Sequence, residues 1–181
     1  MKDTRHEIVV LADQLIRSKG FNAFSYADIS KVLGLKNAAV HYHFPSKFDL
    51  GLTVIKKTIE TFEVLSTSWS GLEIPEQLEQ YMGIWDRTKA ENCVCLMGAL
   101  APSFDTLSID MQQALTVLGN TIIAWLSQLL EKGREAHIFN FKGSAKSQAY
   151  LIQSSLMASL LLEKVLQDDI CHTITAGILK N

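Results

Sequence analysis

Proline is scarce in this 181-residue chain, with only three copies, so few breakers interrupt its helices. Cysteine is equally rare. Cys93, Cys95 and Cys171 are too few and too unevenly spaced for a disulfide framework, which points to a reducing compartment and a cytoplasmic location. No basic, apolar, small-residue leader opens the sequence, and unbroken apolar runs such as Leu160–Leu162 fall far short of the roughly 18 residues that a membrane span requires. A soluble protein is expected. The chain also lacks a Gly-rich phosphate loop, a nucleophile elbow and a cluster of paired carboxylates, so neither an enzyme nor a cofactor is expected. Strand-like alternation of useful length, internal repeats and low-complexity tracts are missing too, which leaves an all-α fold.

Hydrophobic residues make up 48% of the chain and charged ones 20%, enough for a packed core and for a small head on a larger body. The net charge of −2 is unevenly spread. Residues 1–57 carry nine lysines and arginines, Lys2 among them, against five acids, a local +4 that leaves −6 for the remainder. A basic head on an acidic body lets one end meet phosphate while the rest stays off it.

Hydrophobic spacing resolves the head into helices. Ile8, Leu11, Ala12, Leu15 and Ile16 share one face of a helix over residues 4–18, and Gly20 stands where a left-handed residue ends it. Ser25 and Asp28 have the spacing of a capping pair for a second helix that Gly34 stops. Leu35, Val40 and Phe44 resume the apolar pattern, and Ser46 with Asp49 opens a long helix carrying Phe48, Leu52, Ile55, Ile59 and Phe62. Further helices are expected from Pro75, over residues 108–136, and over 144–166 and 169–179.

The stretch from Tyr26 to Phe44 meets the demands of a helix-turn-helix: Ile29 and Leu33 inside, small Ser30 at the helix crossing, Gly34 in the turn, and Leu35 and Val40 locking the second helix. Its opposite face is left with Lys36, Asn37, Ala38, His41 and Tyr42, a set of donors, a small residue and an aromatic suited to base edges and phosphates.

Tyr26-Ala27-Asp28-Ile29-Ser30, Gly34-Leu35 and Val40-His41-Tyr42-His43-Phe44-Pro45-Ser46-Lys47 resemble the tetracycline-repressor (TetR) family, over about residues 5 to 55. The body resembles it only in helix layout and in Cys95-Leu96-Met97-Gly98. The resemblance implies a DNA-binding head over 1–47 and a helical ligand-binding and dimerisation body over 48–181. It also implies DNA contacts from Ser25, Tyr26 and Ala27 at the helix that abuts the backbone, from Lys36, Asn37, Ala38 and Ala39, and from His41, Tyr42 and His43. Lys47, at the positive start of the long helix, would hold a phosphate. The chain departs from the family at Lys36, commonly a small hydroxyl residue, and at His41, commonly Tyr. Asn37 could then cap the recognition helix instead.

No metal is expected. His41 and His43 are two apart and diverge on a helix, and Cys93-x-Cys95 has no second pair at zinc spacing. A thiol sensor of oxidants or electrophiles using Cys93 or Cys95 is the alternative function, with a helical carrier or enzyme behind it. The resemblance implies an effector pocket, for which Phe62, Trp69, Met82, Trp85, Met97, Phe104, Trp125 and Met157 are the candidates, suited to a largely apolar small molecule. It also implies a homodimer joined through the last two helices, with Ile152, Ser155, Leu156, Ser159, Leu162, Ile170, Ile174 and Ile178 as its face and a palindromic operator as the DNA partner. Ligand would tilt the long helix after Ser46, change the spacing of the two heads and release the DNA.

Overall fold

The computed structural model describes residues 3–179, so Lys2 lies outside the described residues. Among them every regular element is helical: α1 (Thr4–Lys19), α2 (Tyr26–Leu33), α3 (Asn37–His43), α4 (Lys47–Ser68), α5 (Ile74–Ala90), α6 (Leu96–Leu100), α7 (Ile109–Glu135), α8 (Ala145–Leu166) and α9 (Ile170–Leu179). Two compact units result. The first holds the chain up to Glu60 together with Leu96–Leu118, and the second holds Thr61–Cys95 together with Gly119 onward.

In the first unit, the Asp3 carboxylate accepts from the His6 amide at 3.1 Å, satisfying a donor that the start of α1 cannot pair internally. The apolar stripe of α1 buries Ile8, Ala12 and Ile16 completely. Gly20 ends the helix at φ +94° and ψ 155°, an extended mirror conformation rather than the left-handed helical one expected, and its amide still donates to Ile16 O. A turn of 3₁₀-helix, Phe21–Ala23, then sets the Phe21 ring 6.2 Å from Phe24 and 5.7 Å from Phe48. The segment from Cys93 to Ala101, apolar and interrupted by Pro102 in sequence, forms α6 against α1 and a second 3₁₀ stretch, Ala101–Thr106. Leu100, Leu107 and Met111 close this side of the core.

The second unit is held by aromatics. The Phe62 ring lies 5.7 Å from Trp125, Trp69 5.6 Å from Trp125, Tyr81 5.4 Å from Trp125, and Trp85 6.4 Å from Tyr81, mostly edge to face, the arrangement ring quadrupoles favour. The buried Tyr81 hydroxyl donates to Gln153 Oε1 on α8, so the polar end of the phenol has a partner, and burial pushes the phenol well above its ordinary pKa. At the other end of α5, Lys89 bridges Glu163 at 2.9 Å and Asp169 at 2.6 Å, while Glu163 Oε2 accepts from the Cys171 amide at 3.0 Å. One lysine thus joins the end of α5 to the end of α8 and the start of α9.

Helices α7 and α8 also have the length and mean hydropathy of a membrane span over windows of 18 residues. Unbroken apolar runs understate this, because interspersed serine and glutamine interrupt a run without lowering a window's mean very far.

Candidate nucleic-acid interface

Two short helices make the interface, and neither is long enough to persist alone in water. What fixes α2 is its start. The Asp28 carboxylate accepts from the Ser25 amide at 2.7 Å and from the Ser25 hydroxyl at 2.8 Å, which, the backbone bond first, holds its carboxyl below the usual carboxylate range. Gly34 ends α2 at φ +67° and ψ 30°, a left-handed residue of the kind that side chains disfavour, and this sharp exit redirects the chain. The Leu35 amide reaches back to Ser30 O at 2.8 Å.

α3 is fixed by three contacts from outside itself. Val40 is fully buried, which stabilises the helix by about 1.5 kcal/mol. The Tyr26 hydroxyl, buried, donates to the Phe44 carbonyl at 2.8 Å just past the last turn, and burial, with the Asp49 charge second, pushes this phenol up to about 12. The Ser30 hydroxyl donates to Asn37 Oδ1 at 2.5 Å across the crossing of the two helices. Asn37 is therefore the first helical residue, bonded sideways to α2, and Lys36 occupies the cap position without a side-chain cap bond. The cap that Asn37 was expected to supply is replaced by this cross-helix bond.

The solvent side of α3 carries most of the residues that were expected to face DNA. Lys36, Asn37, Ala38 and His41 are exposed, Tyr42 is 84% exposed with its ring 5.3 Å from His43, and Ala39 and His43 are half-buried. Ser25 and Ala27 are exposed at the start of α2, while Tyr26 is buried, its ring 4.6 Å from His41. An exposed tyrosine beside amide, ammonium and imidazole groups offers a flat face and several donors to a polyanion.

Lys47 is placed differently from its neighbours. Its ammonium donates to Phe24 O and lies over the rings of Phe24 at 4.2 Å and Phe21 at 4.8 Å, and burial pushes its pKa down. It ties the start of α4 to the turn before α2. That start is itself fully capped, with the Ser46 amide and hydroxyl donating to Asp49 Oδ2 at 3.0 and 2.7 Å and the Asp49 amide donating to Ser46 Oγ at 3.1 Å. A cation that sequence reasoning passed over is Arg5, whose exposed guanidinium stands 4.9 Å over the Phe44 ring at the end of α3. Its place in the first turn of an amphipathic helix gave no separate signal.

The candidate pocket residues are divided. Phe62, Trp69, Met82 and Trp85 are buried and Trp125 and Met157 half-buried in the second unit, whereas Met97 and Phe104 belong to the first. Of the candidate dimer face, Ile152, Leu156 and Ser159 are buried within the second unit, Ser155, Ile170, Ile174 and Ile178 are half-buried, and Leu162 is exposed. The outward apolar residues of α8 are Leu151, Leu161, Leu162, Val165 and Leu166, a stripe of which only Leu162 was anticipated.

A capped helix, a left-handed glycine turn and a second short helix locked from behind with its polar face outward define a helix-turn-helix DNA-binding regulator. Residues 8–52 match the family model of the bacterial regulatory proteins, tetR family. Over its length the chain is similar to the HTH-type transcriptional repressor NemR of Escherichia coli K12, at 24% identity over 169 residues, 90% of this chain and 85% of that one. Among solved structures, a TetR-family regulator from Agrobacterium tumefaciens superposes with a TM-score of 0.90 at 27% identity, covering 98% of this chain and 96% of its own. A TetR regulator from Legionella pneumophila does so with a TM-score of 0.88 at 29% identity, covering 99% and 97%. Residues 8–52 thus carry a DNA-binding domain of the tetR family, and the chain as a whole is similar to transcriptional regulators that contain it.

Proposed function

We propose that the protein is a cytoplasmic homodimeric repressor that binds a palindromic operator and is released from it by a small molecule held in the helical body. Residues 1–47 serve as the reading head and 48–181 as the regulatory body. The observation that carries the reading is α3, a helix locked from behind by Val40, Tyr26 and Ser30 with Lys36, Asn37, Ala38, His41 and Tyr42 outward. A two-fold dimer sets two such helices on half-sites one DNA turn, about 34–36 Å, apart. The exposed apolar stripe of α8 supplies a face for that dimer. Repression is the activity named for the similar E. coli NemR. An effector that binds the DNA-free state more tightly lowers operator affinity by that difference.

Selection from random duplex DNA tests this directly. Enrichment of a palindromic site, with binding weakened by Tyr42→Ala and falling steeply with salt, is the expected result. Absence of an enriched palindrome, or sedimentation as monomer only, refutes it.

A second reading, a thiol-responsive regulator working through Cys93 or Cys95, draws on the solved structure of E. coli NemR being described as a reduced form; that chain superposes with a TM-score of 0.78 at 23% identity. Here no disulfide joins the cysteines, Cys93 is 2% exposed and Cys95 half-buried. A fast-reacting thiol at Cys95 in the folded protein would support this reading, and uniformly slow thiols would remove it.

A further inference from the structure

The aromatic residues of the second unit pack ring against ring, but a separate cavity of about 260 Å³ lies in the same unit, between α5, α7, α8, α9 and the loop joining α7 to α8. Leu78, Leu130, Ile152 and Ile174 give it an apolar body. Asn140, Gln148 and Ser155 bring amide and hydroxyl groups to its lining, where no hydrogen bond from a described residue occupies them. None of the described residues lining it is Asp, Glu, Lys, Arg or His.

Its outer wall is built rather than draped. The Ile138 and Phe139 amides both donate to Gly133 O, at 2.8 and 3.1 Å, and fold the Phe139 ring onto α7. A Cβ at position 133 would stand 2.1 Å from that ring, so only glycine lets it seat there. Arg134 then fixes the rest of the loop, its guanidinium 5.2 Å over the Phe141 ring and donating to Gly143 O at 2.8 Å. Phe139 and Phe141, held this way, line the cavity.

We propose that this cavity is the effector site, and that it takes an uncharged molecule of two fused aromatic rings bearing one hydroxyl or carbonyl group. The proposal rests on the ligand-responsive reading above and gives that ligand a place and a chemical class. Size follows from volume, since a single benzene ring fills an apolar cavity of about 150 Å³. Neutrality follows from the lining, because a charged ligand would meet no counter-charge among the described residues that form it. The polar substituent is the group that Asn140, Gln148 and Ser155 can bond.

The test uses the full chain titrated with 2-naphthol, followed by the probe's own fluorescence, with 2-naphthoate as the charged comparison. The expected result is saturation at one 2-naphthol per chain, with 2-naphthoate at least about tenfold weaker. Ser155→Phe, which fills the cavity, and Gly133→Ala, which displaces Phe139, should each weaken 2-naphthol by at least about tenfold while circular dichroism stays as in the parent, and Gly133→Ala should leave operator binding as in the parent. Equal affinity for both probes, or affinity unchanged in both variants, overturns the site. So does 2-naphthol binding that appears only on dilution to monomer, since a second copy would then occupy the cavity. An effector that releases the operator equally from parent and Ser155→Phe overturns the site and leaves the regulator reading standing. If 2-naphthol binds with the expected variant pattern while operator affinity stays unchanged, the cavity is supported and ligand-responsiveness is what fails.

Discussion

Removing one oxygen atom should loosen the reading head. In Tyr26→Phe the buried hydroxyl that donates to Phe44 O at 2.8 Å is gone, and the ring can stay where it packs. The loss has two parts. A net hydrogen bond contributes about 1 kcal/mol, and the Phe44 carbonyl, left without its partner in a buried place, adds a desolvation penalty, giving about 1–2 kcal/mol together. That is a five- to thirty-fold change, roughly, in the unfolding constant. Because the bond closes the end of α3, operator affinity should fall in the same variant even though Tyr26 itself is not exposed. The assay is urea denaturation at fixed protein concentration, paired with fluorescence anisotropy on operator DNA. Alkali supplies an internal check. The Tyr26 phenol is raised from 10 to about 12 in the folded chain, so its stabilisation is complete below pH 10 and is lost as the pH rises through 12. The gap between wild type and Tyr26→Phe should therefore narrow over that interval. A variant as stable as the parent at neutral pH, or a gap that does not change between pH 10 and 12, would refute the role given to this hydroxyl.

Three further outcomes are expected. Tyr42→Ala, on a side chain 84% exposed, should leave the melting temperature within a degree or so and lower operator affinity by about tenfold, and Lys36→Ala should reduce the salt slope of binding by about one. Gly34→Ala meets no steric obstacle but forces a side chain into φ +67°, so chemical denaturation should show a loss of about 1 kcal/mol. Asp28→Asn should destabilise the head at neutral pH, and since the Asp28 carboxyl is held low by Ser25, the advantage of wild type should shrink in thermal melts as the pH falls through the acid range.

Elements that announce themselves by local chemistry were legible in the sequence. Ser25 with Asp28 and Ser46 with Asp49 mark helix starts, Gly34 marks a stop, and Pro75 sits in the first turn of α5, because caps and breakers act within four residues. The polar front of α3 followed, since an apolar back implies one. Arrangement across the chain was less legible. Periodicity marks Phe62, Trp69 and Trp125 as inward but gives the same signal for a residue lining a cavity as for one filling a core. α8 is apolar on several sides, so its pattern alone did not separate Leu156, packed within its own unit, from Leu151 on the surface. Lys47 reads as a free cation in sequence, and only the fold brings Phe24 O and two rings to its ammonium.

The bond from Ser30 to Asn37 reaches beyond helix packing. An asparagine free at both ends of its amide can match adenine, accepting from the base's amino group while donating to its ring nitrogen. Here the carbonyl end is turned back toward α2, and the NH₂ end takes no part in that bond. In the proposed operator complex the position would lead with its NH₂ donor, which can meet any base edge that presents an acceptor there, the adenine ring nitrogen included. A buried serine on α2 thereby constrains how its neighbour on α3 would present itself to a base.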